Sequence, residues 1–88
     1  MIIPDKVSIL GIDYDVMREE LETEEGYISP KKQRIVLCTG LSSQKEQQVF
    51  LHEVVHGLFD QLGYSELYED EHLVQGLAIG LHQMLADV

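Results

Sequence analysis

In two short stretches near the start of the chain apolar side chains alternate with polar ones, and along the second half they return every three or four positions. The chain therefore reads as sheet first and helices afterwards. Lys6 to Leu10 and Tyr14 to Arg18 carry Val7, Ile9, Tyr14 and Val16 at a period of two around Gly11-Ile12-Asp13, which predicts a β-hairpin. Gly26 to Ser29 and Gln33 to Leu37 flank Pro30-Lys31-Lys32 and predict two more short strands around a turn. Thr39-Gly40-Leu41 ends the strand pattern. Ser43-Gln44-Lys45-Glu46 then has the spacing of a capping box, with Ser43 and Glu46 satisfying the first free amides of a helix. That helix runs to Leu62 with Leu51, Val54, Val55, Leu58 and Leu62 on its apolar side, and Gly63 suits the left-handed residue after it. A short loop leads to a second helix from about Glu69 to Ala86, whose apolar face comprises Leu73, Val74, Leu77, Ala78, Leu81, Met84 and Leu85. The expected fold is α+β: a small, mostly antiparallel N-terminal sheet followed by two α-helices packed as an antiparallel hairpin.

Composition narrows this picture. Eighty-eight residues suit one small domain, 1–88, with a thin core that a bound metal would reinforce. Sixteen acidic residues against six basic ones give a net charge of −10, a surface that repels nucleic-acid phosphates and anionic lipid. The expectation is no nucleic acid and no membrane as partner. Lys31, Lys32 and Arg34 form the one basic cluster and read as a solvated turn, while Glu19 to Glu25 reads as a strand end and solvated loop. Cys38 has no partner for an internal disulfide. With no signal-peptide pattern and no long apolar run, a soluble, cytoplasmic protein is expected.

Candidate chemistry sits in the first helix, at His52-Glu53-Val54-Val55-His56. Residues four apart on a helix lie about 40° apart around its axis, so the two imidazoles point to one side and can share a metal ion. Zn²⁺ suits imidazole ligands, and a catalytic site needs three protein ligands and one open position. Glu53, about 100° from His52, is placed to take the proton of a metal-activated water. For the third ligand Glu71 is preferred, because its helical phase sets it near Ala78 at the edge of the buried face. His72 is its chief rival, with Glu69 and Asp70 behind. Asp60, one turn past His56, is either an orienting partner or a solvent-facing acid. Tyr64, Tyr68, His72 and His82 are possible donors to an oxyanion, and nothing in their spacing fixes any of them near the metal.

The stretches His52-Glu53-Val54-Val55-His56-Gly57, Glu71-His72-Leu73-Val74 and Leu77-Ala78 resemble the small gluzincin metallopeptidases, the minigluzincin and ImmA/IrrE-like group of phages and mobile elements. The strand Gln33-Arg34-Ile35-Val36-Leu37 is similar to the one that precedes the metal helix in that group. The resemblance spans residues 26 to 88 and implies a zinc-dependent peptidase with His52, His56 and a downstream Glu as ligands and Glu53 as general base. It also implies a sheet whose edge strand pairs with an extended peptide or protein substrate. The chain departs from fuller members in its shortness, in lacking their additional N-terminal helix and substrate-binding parts, and in offering no unambiguous oxyanion donor. The longer pattern with a third His is absent, since Leu62 stands there and Phe59 replaces the expected Gly. The alternative is a metal-stabilised binding or regulatory module with little turnover, and after it a purely structural zinc. Glu53 favours the enzyme, because a structural site has no use for a base, and small size favours the module.

Overall fold

The computed structural model describes residues 1–86, so the last two positions of the stretch carrying the resemblance lie outside it. The fold is α+β, in the order β1 (Lys6–Ile9), β2 (Ile12–Glu19), β3 (Gly26–Ser29), β4 (Arg34–Cys38), α1 (Ser43–Leu62), α2 (Ser65–Tyr68) and α3 (Glu71–Ala86). The first hairpin turns on Leu10 and Gly11, with φ of 49° and 88°. Two successive left-handed residues make the tight turn whose twist matches that of the strands, so the turn falls one residue earlier than Gly11-Ile12-Asp13 suggests. The four strands lie in the order β1-β2-β4-β3. The β1–β2 and β3–β4 pairings are antiparallel as expected, but the two hairpins join through a parallel pairing of β2 with β4, Val16 opposite Ile35 and Arg18 opposite Leu37. The sheet is therefore mixed. Ile35, Val36 and Leu37 explain its centre: all three are fully buried, and a continuous apolar run suits a strand covered on both faces. Val36 points away from the helices and lies between Met17 and Tyr27 in register.

On the other face Tyr14, Val16, Ile35 and Leu37 pack with Val49, Phe50 and Leu51 of α1 and Ala78 of α3 in one core. α1 lies close to the sheet at Gly57, where an added Cβ would stand 2.8 Å from Ile9 Cδ1 and 2.9 Å from Ile28 Cδ1. No side chain larger than hydrogen fits there without displacing both isoleucines. The helix is capped by Ser42 rather than Ser43, its Oγ accepting from the Lys45 amide at 3.2 Å. With Ser42 as cap, Glu46 stands one position past the place a capping box requires, and it instead accepts two bonds of 2.9 and 3.0 Å from Arg18 of β2. Gly63 closes α1 with φ 79°, as its sequence position predicts. The loop after it contains the single turn α2, and α3 starts two residues later than expected, with Asp70 Oδ1 accepting from the Leu73 amide at 3.0 Å. The apolar face of α3 is wider than its contacts: Val74 and Ala78 are buried, whereas Leu77 and Met84 are exposed, as is Leu62 at the end of α1. No helix among the described residues is long and apolar enough to cross a membrane.

Candidate metal centre

α1 carries His52, Glu53 and His56 on the side turned toward β3 and the start of α3. α2 turns the chain so that α3 opens with Glu71 directly over the two imidazoles. His52 Nε2 lies 3.0 Å from Glu71 Oε2, and His56 Nε2 lies 3.0 Å from Glu71 Oε1. The two Nε2 atoms are 3.2 Å apart. Two imidazole lone pairs cannot face one another at that distance unless a proton or a cation stands between them. A tetrahedral ion with ligand bonds of about 2.0 to 2.1 Å separates its ligand atoms by about 3.3 Å, close to all three spacings. This His52, His56 and Glu71 group could hold a metal ion. His72, the rival for the third position, is exposed and does not join it. Glu69 and Asp70 do not join it either.

What orients the ligands was only partly visible in sequence. His52 Nδ1 is 2.7 Å from Gln75 Oε1. An amide oxygen only accepts, so Nδ1 carries the proton and Nε2 presents its lone pair to the cluster. Gln75 takes the orienting role considered for Asp60, which is exposed and makes no bond to either imidazole. The signal for Gln75 lay in its spacing, one helical turn after Glu71. His56 is buried, and its Nδ1 lacks a well-aligned hydrogen-bond partner among the described residues, although the Tyr68 backbone acts weakly on the ring. Burial pushes the His56 pKa down and the second imidazole adds to this, with Glu71 opposing. A neutral imidazole is the form that binds metal.

Glu53 is 6% exposed and makes no hydrogen bond to another described residue. Burial raises its pKa to about 8, and the fields of Glu71 and Glu24 push the same way. A cation beside it acts in the opposite sense and favours the carboxylate. Glu53, both histidines and Glu71 line one open cavity of about 530 Å³, whose far wall includes Tyr27 and Ile28 of β3. β3 is an edge of the sheet. Of the four possible oxyanion donors, Tyr68 alone lines this cavity, its ring 4.9 Å from that of His56. Burial, then Asp60 and Glu53, raise its pKa, so the phenol keeps its proton at neutral pH. Tyr64 is exposed away from the cavity, and His82 is buried with Nε2 bonded to Gln47 Oε1 at 2.8 Å. Comparison with family models, with curated proteins and with solved structures finds no match to this chain.

Proposed function

We propose that this chain is a zinc-dependent metallopeptidase of the small gluzincin kind, resembling the minigluzincin and ImmA/IrrE-like group of phages and mobile elements. The observation that carries the proposal is the convergence of two imidazole nitrogens and a carboxylate at 3.0 to 3.2 Å, with a buried, unbonded Glu53 in the wall of the same cavity. His52, His56 and Glu71 fit Zn²⁺ in number and donor type, and the ion when bound supplies Lewis-acid activation of water and of the scissile carbonyl. Gln75 keeps His52 in the tautomer that offers Nε2. Glu53 accepts the proton of the attacking water and returns it to the amide nitrogen that leaves, so that one peptide bond and one water become a carboxylate and an amine. β3 offers an edge along which an extended peptide can lie, and the Tyr68 hydroxyl is available in the cavity as a donor to the developing oxyanion.

A second reading is a metal-stabilised binding or regulatory module with little turnover. It draws on β3 being four residues long, which gives a substrate few backbone contacts. One experiment separates the readings. Purified protein binds about one Zn²⁺ per chain, and Glu53→Gln retains the metal while losing cleavage of a peptide library. Metal-free protein that takes up no added Zn²⁺ refutes both readings, and equal turnover by wild type and Glu53→Gln removes Glu53 as the base.

A further inference from the structure

The cavity beside the metal cluster is unbalanced in charge. Glu24, Glu25, Glu53, Glu69 and Glu71 line it against a single cationic side chain outside the imidazoles, Lys45. Lys45 is already engaged, its Nζ lying 3.4 Å from Glu25 Oε1. A divalent ion on His52, His56 and Glu71 offsets two charges, and with every carboxylate ionised the lining still carries two negative charges. Glu24 and Glu69 are the rim carboxylates without an ion-pair partner among the described residues. Glu69 stands just before α3, where the helix dipole alone accounts for an acidic residue. Glu24 serves no helix terminus and belongs to the exposed acidic loop that ends at Glu25. It stands just before β3, the sheet edge that forms the cavity wall.

A second observation points to an occupant. Glu53 is more than nine-tenths buried, is bonded to no described residue and lies in the lining of this same cavity. Its carboxylate oxygens are not among the fully sealed, unpartnered atoms, so they open into the cavity, where a polar ligand can bond them. The wall opposite offers Tyr27 and Ile28 of an edge strand, so the ligand that fits is an extended chain rather than a compact ion.

We infer that the cavity selects a peptide with a Lys or Arg side chain seated beside Glu24, at the Gly26 end of β3, and rejects peptides with an acidic residue there. The inference rests on the peptide-hydrolysis reading for the path of the chain, but not on turnover.

The test uses Zn²⁺-loaded Glu53→Gln protein as a non-turning binder and fluorescent peptide mixtures carrying Lys, Gln or Glu at one scanned position. Lys peptides should bind about tenfold tighter than Glu peptides at about 50 mM salt, with the ratio shrinking at about 0.5 M. Adding Glu24→Gln should cut that ratio to about threefold, the share expected of one rim charge. Glu22→Gln, outside the lining, should leave it unchanged. Equal binding of Lys and Glu peptides, a ratio indifferent to Glu24→Gln, or no peptide binding at all would each overturn the inference. Wild-type cleavage of the same peptides is scored separately. A Glu24-dependent preference without cleavage sustains the inference and refutes the hydrolase, and cleavage without preference does the reverse.

Discussion

Glu53→Gln should change the stability of the metal-free protein in a way that depends on pH. In the folded chain the Glu53 carboxyl titrates at about 8 against a reference of 4.5, chiefly because it is buried. A carboxyl whose folded pKa is raised binds more protons folded than unfolded, so its contribution is full below the unfolded value and is lost as pH rises through the folded one. The window therefore runs from about pH 4.5 to about 8. At 1.36 kcal/mol per pH unit the ceiling on the loss is roughly 5 kcal/mol, and relaxation of the cavity and water entry bring it to about 2 to 4. For a small domain that is a large part of the total. Glutamine keeps the shape and never ionises, so it escapes the loss. Thermal melts in chelator should show the two proteins within about 3 °C of each other at pH 5, and Glu53→Gln higher by about 10 °C or more at pH 9. Saturating Zn²⁺ should close the gap at pH 8, because a cation beside Glu53 stabilises its ionised form. Parallel stability profiles from pH 5 to 9 would refute the reasoning, since they would mean that water already solvates the carboxylate.

Glu71→Ala should weaken Zn²⁺ binding by about two orders of magnitude or more in a competition titration, whereas His72→Ala should stay within a few-fold; the reverse pattern would make His72 the ligand. Gln75→Leu removes the acceptor of His52 Nδ1 at 2.7 Å and should cost about 10- to 100-fold in metal affinity without changing the circular dichroism spectrum. Gly57→Ala should destabilise by about 1 to 2 kcal/mol, the contacts at 2.8 and 2.9 Å being ends of isoleucine side chains that can yield in part. Gly76→Ala, where an added Cβ meets open space on α3, should instead stabilise by about 0.5 to 1 kcal/mol in urea unfolding, and equal effects at the two glycines would contradict the packing described.

The first hairpin and the two long helices were legible from their periods, and β3 and β4 from short apolar runs around a Pro-containing turn, all of which are local properties. The partner of a strand is not. Nothing in residues 12–19 announces that β2 runs parallel to β4, although the unbroken run Ile35-Val36-Leu37 already marks an interior strand. Ser65–Tyr68 is a single turn, too short to show a helical repeat. The cap is Ser42, one residue before the expected Ser43, and Glu46 pairs with Arg18, a residue 28 positions away that no local window contains. Leu77 and Met84 fit the apolar stripe of α3 by phase, yet only the Val74 and Ala78 side of the helix meets the core. At the site, the structure brings together His52 and His56, which spacing had paired, and Glu71, which phase and chemistry had singled out, with Glu53 in the wall of the same cavity. Gln75 was passed over because a glutamine one turn beyond an acid is ordinary on a helix surface, and only its contact with Nδ1 gives it a role.

Several departures from ordinary rules of burial are gathered around one cavity, while Arg34 Nε on β4 is a separate one outside it. Elsewhere the core is mostly apolar, with Ile35, Val36, Leu37, Val74 and Ala78 fully buried, and its buried His82 is bonded to Gln47. Around the cavity, by contrast, Glu53 is 6% exposed with no bond to a described residue, His56 Nδ1 is buried without a partner, and two imidazole nitrogens face each other at 3.2 Å. An exposed carboxylate also reaches both of those nitrogens at 3.0 Å. A structural account would have to explain each separately, and hydrophobic replacements of similar volume would stabilise the fold more than a buried acid does. One divalent cation on His52, His56 and Glu71 would account for them jointly, since it would satisfy both imidazoles and the Glu71 carboxylate and would lower the cost of an ionised Glu53. On the function proposed above, the set would serve the ion and the reaction, and metal binding would add to the stability that packing supplies.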